Sequence, residues 1–118
     1  VGGDLSQGRT AAAEDFARRS GAVVVLKGPG TVVAGPDGRC RVNTTGNCGM
    51  AKGGSGDVLS GVVLALLGLG MDAFDACCCA VWLHGRAGDL AAQEKGQWGM
   101  TPTDILERLP QALREVAE

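Results

Sequence analysis

Gly53-Gly54-Ser55-Gly56-Asp57 is the stretch of this sequence best equipped for chemistry, because it runs straight into an apolar segment that reads as a helix. A helix start leaves backbone N–H groups unpaired and carries partial positive charge, so it attracts anions. Glycines let a phosphate oxygen reach those N–H groups with no Cβ in the way. A carboxylate in the first turn is kept deprotonated by the same dipole and can take a proton from a hydroxyl attacking that phosphate. Asp57 stands there. The plainer alternative is that Ser55 or Asp57 only caps a helix after a flexible loop, and spacing alone leaves both readings open. Neither GxxxxGK(S/T) nor a GxGxxG following a strand occurs, so the P-loop and dinucleotide-fold patterns fail.

The elements around this loop read as follows. Residues 1–9 are polar and Gly-rich, a loose lead-in. Thr10 can cap a helix from Ala11 to Arg19, acids early and arginines late, stopped by Gly21. Ala22–Lys27 is a β-branched run bounded by glycines, the pattern of a strand buried on both faces. Gly28-Pro29-Gly30 breaks it, Thr31–Ala34 starts a second strand, and Arg39–Asn43 alternates like a half-exposed hairpin partner after the Pro36-Asp37-Gly38 turn. Residues 43–56, with five glycines in fourteen positions, read as irregular. Asp57–Leu69 is apolar on nearly every face, as a central buried helix would be. Asp72 can cap a helix from Ala73 to about Gln93, and Glu94–Gln97 is a turn. Thr101-Pro102-Thr103-Asp104 opens another helix, Pro110 interrupts it, and Gln111–Ala117 forms a last short one. The fold class is α/β, its second half supplying one covering layer.

Composition narrows the field. The chain has 118 residues, enough for one domain; glycine accounts for 20 and aromatics for 3%, so the core must be Ala, Val and Leu. A net charge of −2 and no basic run longer than Arg18-Arg19 argue against a nucleic-acid partner. The longest apolar stretch, Val62–Met71, is too short to span a bilayer, so no membrane role is expected. Five cysteines, three of them consecutive at Cys77-Cys78-Cys79, give no staple framework, and with one histidine no zinc site or other metal cluster is expected. A reduced, cytoplasmic compartment fits. His84 reads as a packing and hydrogen-bonding residue, the cysteine run as small apolar filler, Asp89 and Asp104 as helix-end carboxylates. Trp82 and Trp98 read as core or edge packing, although Trp98-Gly99-Met100 could border a subunit contact. Opening at Val1-Gly2-Gly3 without Met, the chain reads as a piece of something longer.

The run from Asn43 through Thr45-Gly46-Asn47, Gly49-Met50-Ala51 and Gly53-Gly54-Ser55-Gly56-Asp57 to Val58-Leu59-Ser60-Gly61 closely resembles the signature of the NAD(P)H-hydrate dehydratases of the ribokinase-like superfamily. Val24–Thr31, Leu83–Asp89 and Gly99–Ile105 look like the same family, in family order. The resemblance implies the C-terminal part of a three-layer α/β/α domain. It also implies an enzyme that uses ADP or ATP, with Mg²⁺, to phosphorylate the ring hydroxyl of NAD(P)H hydrate. Phosphate then leaves and NAD(P)H is restored. By that resemblance Asp57 is the catalytic base and touches the substrate, while Gly54, Ser55 and Gly56 form the anion hole. Lys27, Gly28, Pro29, Gly30 and Thr31, with Gly56, would line the nucleotide site.

Two positions depart from the pattern: Cys48 replaces a proline, and Lys52 replaces Ser or Thr. Lys52 can either add charge near the phosphate or be a solvated loop lysine. The family domain is more than twice this length, so the segment carrying the first strands, and the epimerase domain of some members, lie outside this chain. An uncovered strand edge then leads to the expectation of a homo-oligomer. Two other readings stand beside the dehydratase: a ribokinase-like kinase for a vitamin precursor, and an inactive nucleotide-binding fragment.

Overall fold

Side chains on a strand alternate between faces, and the short strands of this chain use both. Val24, Leu26, Val32 and Ala34 pack with Ala13 and Ala17 on one side of the sheet. Val23, Val25 and Val33 pack with Leu59, Phe74, Cys77, Ala80 and Val81 on the other. The computed structural model, which describes residues 2–28, 30–50 and 54–117, therefore has a helix, a sheet and a helical layer stacked in that order. The elements are α1 (Gly2–Ser20), β1 (Val24–Leu26), β2 (Val32–Ala34), β3 (Cys40–Val42), a 3-10 turn at Cys48–Met50, α2 (Ser55–Gly68), α3 (Ala73–Lys95) and α4 (Pro102–Ala117). The sheet is antiparallel in the order β1-β2-β3, with Val25 opposite Val33 and Val33 opposite Arg41.

Several expectations are corrected. The lead-in is helical: α1 begins at Gly2 rather than after Thr10. A tertiary tie explains part of this, since Arg9 Nη2 donates to the carbonyls of Leu26 and Lys27 at 3.2 and 3.1 Å. The stop at Gly21 holds, with φ of 70° and its N–H on the Ala17 carbonyl. The fully buried strand is β2 and not β1. Among the described residues β1 is hydrogen-bonded on one side only, so its apolar side chains are half-buried. Strand β3 is exposed at all three residues. Helix α2 starts at Ser55, two residues before Asp57, and buries only Ser55 and Leu59. Leu64, Leu67 and Leu69 face outward, because no described element covers that side. Pro110 lies inside α4 without breaking it. Proline has no N–H for the carbonyl four residues back, at Leu106, and both residues lie on the exposed side of the helix.

Helix α3 is the hub, with Leu83, Ala87, Leu90 and Ala91 buried against Met100, Ile105 and Ala112 from the α4 side. Its start is capped as expected, Asp72 accepting from the Asp75 N–H at 3.3 Å. At the start of α4, Thr101 and Asp104 bond reciprocally. Two glycines one turn apart, Gly85 and Gly88, let the 43–50 segment lie directly on α3: a side chain at either would strike Thr45 or Met50. Among the described residues no helix is long and apolar enough to cross a membrane.

These notches make a stability prediction. A Cβ at Gly85 would sit 2.8 Å from the Thr45 carbonyl carbon, whereas one at Gly61 meets nothing within 4 Å. Gly85→Val is expected to lower stability by about 1–3 kcal/mol through overpacking. Gly61→Ala, in an exposed stretch of α2, should raise it by up to about 1 kcal/mol. Urea denaturation decides, and equal midpoints for the two variants would contradict the packing described.

Candidate functional site

The end of β1 and the start of α2 come together. Lys27 Nζ lies 2.6 Å from where a Cβ on Gly56 would be, so the ammonium occupies the space that glycine leaves open. Gly54 is the N-cap of α2, with φ of 94°, a conformation suited to glycine. The N–H groups of Ser55, Gly56 and Asp57 therefore belong to the first turn, where a helix supplies no acceptor of its own. The carboxylate of Asp57 is exposed on that turn. A cation, helix N–H groups and a glycine cradle thus face the same place, a donor set suited to phosphate oxygens. A depression of about 290 Å³ between β1 and α2 includes Lys27, Gly56 and Ser60 in its lining, with apolar Val25, Leu59 and Val63. A larger concavity of about 600 Å³, between β3 and α3, is lined by Asn43 and Thr44 but by none of Gly54–Asp57.

The turn after β1 holds itself in shape. Gly28 and Gly30 have φ of 142° and 64°, and the Thr31 hydroxyl donates to the Gly28 carbonyl at 3.1 Å. Arg9 lies against Gly28, where a Cβ would come within 2.9 Å of its guanidinium. The structure thus brings Lys27 to Gly56, while Gly28, Gly30 and Thr31 follow on the adjoining turn. Pro29, Lys52 and Gly53 lie outside the described residues. Arg9 gave no signal in the sequence, since a lone arginine in a Gly-rich stretch has no local pattern.

Beneath the loop, Ser55 Oγ is 3.2 Å from His84 Nε2, both buried. Burial, the largest influence, holds the His84 pKa below its ordinary value; a hydrogen bond with the Ser55 backbone opposes this, and the Lys27 ammonium adds to it. His84 thus has the hydrogen-bonding role its setting suggested. Asp89 does not: it lies within α3, where its carboxylate accepts from the Gly46 N–H at 3.0 Å and from Asn47 Nδ2 at 2.9 Å. It anchors the signature loop, a partner 42 residues away in sequence that helix periodicity could not reveal. Asn43 Nδ2 and Thr45 Oγ1 reach the carbonyls of Val81 and Trp82. Burial pushes the thiols of Cys77, Cys78 and Cys79 up, keeping them protonated, as filler would be. Trp82 packs against the α3–α4 core, but Trp98 is 96% exposed on the turn between those helices. Among the described residues no group of three His, Cys, Asp or Glu side chains could hold a metal ion.

Residues 2–111 match the carbohydrate-kinase-type family described as NAD(P)H-hydrate dehydratase. The chain belongs to that family. It is 48% identical over 115 residues to the bifunctional NAD(P)H-hydrate repair enzyme Nnr of Thermofilum pendens, covering 98% of this chain and 22% of the relative. It is 38% identical over 107 residues to the ADP-dependent (S)-NAD(P)H-hydrate dehydratase of Bacillus subtilis, covering 91% of this chain and 39% of that one. The crystal structure of the Bacillus subtilis ADP/ATP-dependent enzyme, co-crystallised with ATP/Mg²⁺, superposes with a TM-score of 0.88 at 37% identity. It covers 94% of this chain and 40% of that one, so the fold is the corresponding part of a ribokinase-like α/β domain. The chain therefore spans about a fifth of its bifunctional relative and two fifths of the shorter one.

His84 gives this family member a testable pH dependence. A histidine with a lower pKa folded than unfolded binds its proton more readily in the unfolded chain. Its contribution to stability is complete above the unfolded value of about 6.5 and is lost as pH falls below that toward the folded value. Urea midpoints should therefore fall as pH drops through that window, and fall less steeply in His84→Gln. Parallel slopes for the two proteins would contradict the buried, neutral histidine.

Proposed function

We propose that this chain supplies the phosphate cradle and the proton acceptor of a nucleotide-dependent NAD(P)H-hydrate dehydratase. The observation that carries the reading is the meeting of Lys27 with Gly56 at the first turn of α2, with the Asp57 carboxylate exposed on that turn. In this reading the N–H groups of Gly54, Ser55 and Gly56 and the Lys27 ammonium hold the terminal phosphoryl group of ADP or ATP. Lys27, Gly28, Pro29, Gly30 and Thr31 border the nucleotide. Asp57 takes the proton of the ring hydroxyl as its oxygen attacks phosphorus, and the bond from phosphorus to the nucleotide oxygen breaks. Phosphate then departs with the carbon–oxygen bond, a ring proton is lost, and the double bond of NAD(P)H returns. Mg²⁺ would arrive on the nucleotide phosphates and compensate their charge, which suits a site with a single first-turn carboxylate rather than an acidic cluster.

The relatives support the choice of substrate: two are described as an NAD(P)H-hydrate repair enzyme and an ADP-dependent NAD(P)H-hydrate dehydratase. In a protein containing the complete domain, Asp57→Asn is expected to lower turnover by about 10²-fold or more, the scale of positioned general-base catalysis, with ADP affinity little changed. Gly56→Val places a branched side chain where Lys27 Nζ now lies, and should abolish ADP and AMP binding. Recovery of NADH absorbance from its hydrate and titration calorimetry read the two effects. Near wild-type turnover in Asp57→Asn, or unchanged affinity in Gly56→Val, would move the chemistry elsewhere.

A further inference from the structure

We propose that His84 is a positioning residue for phosphoryl transfer, holding the Ser55 hydroxyl so that the first turn of α2 and Lys27 converge on one anion. The proposal rests on the functional reading above. Among the described residues, Ser55 and His84 are the buried polar side chains, 6% and 8% exposed, and they are bonded to each other at 3.2 Å. Burying two polar groups costs free energy that their mutual hydrogen bond only offsets, so packing alone gives no reason for the pair. The other buried residues of α3, among them Ala80, Val81, Leu83, Ala87 and Ala91, are apolar or glycine, and an apolar residue at 84 would continue them. The polar pair lies where α3 passes under the start of α2.

The start of α2 is also built without an ordinary cap. Gly54 at the N-cap offers no side-chain oxygen, and Ser55, the first helical residue, directs its hydroxyl to His84. Neither side chain competes for the first-turn N–H groups, which a ligand oxygen can then take. A neutral ring suits this role in either tautomer. If Nε2 accepts, it fixes the Ser55 hydroxyl; if Nε2–H donates, the hydroxyl hydrogen is freed to meet the phosphate. A protonated ring would add a second positive charge beside Lys27, and burial keeps the ring neutral. His84 reaches the reacting atoms only through Ser55, so its effect is on geometry, and small displacements of a phosphate-holding group are costly in rate.

The test is a double-variant cycle in a protein containing the complete domain. His84→Leu and Ser55→Ala should each lower kcat by about 10-fold or more, with the KM for ADP changing much less. The double variant should be no slower than the slower single, because both remove one arrangement. His84→Gln, which keeps a group able to bond Ser55, should recover most of the rate. Multiplying losses, an effect confined to KM, or a His84→Gln variant as slow as His84→Leu would overturn the proposal. If His84→Leu does not fold, the cycle is run with His84→Gln and Ser55→Ala, and an additive loss overturns it equally. If the wild-type protein binds ADP but leaves the hydrate unchanged, the reading of function falls by itself. The same cycle in ADP affinity then decides on His84, with additive losses counting against it.

Discussion

The contact on which the proposed site depends is between the end of β1 and the start of α2, where the Lys27 ammonium fills the space beside Gly56. Lys27 is exposed, so its ammonium keeps contact with water while it stands there. It stands next to the positive end of a helix, and each of the two attracts anions. That shared attraction for an anion supports the phosphate-binding reading proposed above. A Cβ at 56 would make the ammonium move from its present place.

The remaining architecture holds these two termini in position. Arg9 from α1 donates to the Leu26 and Lys27 carbonyls and so fixes where β1 ends. On the other side, the loop leading to α2 is held on α3 through the Gly85 and Gly88 notches, the Asp89 carboxylate and the Thr45 hydroxyl. Gly54 rests against Pro102, so the first residue of α4 also supports the start of α2. Most of these hydrogen bonds join a side chain to a backbone group, which lets a chain with 20 glycines and few aromatics fix its loops.

The helix start at Gly54–Asp57 is legible in the sequence because its causes are local: glycines and a carboxylate in consecutive positions ahead of an apolar run. The partnership of Lys27 with Gly56 was anticipated only through the family resemblance. What escaped was long-range. Arg9 sits 17 and 18 residues from the carbonyls it clamps, and Asp89 holds a loop 42 residues earlier. Neither has a local signature. Helix α2 was expected to be buried because its residues are apolar, yet Leu64, Leu67 and Leu69 face outward. Apolarity reports what a helix is built to bury, and the partners for that face are not among the elements described. Proline lacks an N–H and so suggests a break at Pro110, but one lost bond on an exposed face does not outweigh the packing of Ile105 and Ala112 on either side.

The most direct test of the phosphate cradle is to follow backbone amides by NMR while ADP is added to a ¹⁵N-labelled protein containing the complete domain. Amide protons hydrogen-bonded to phosphate move downfield, so those of Ser55 and Gly56 should shift most, with Lys27→Met weakening the response. Large shifts elsewhere, with Ser55 and Gly56 unmoved at saturation, would contradict a phosphate site at the meeting of β1 and α2.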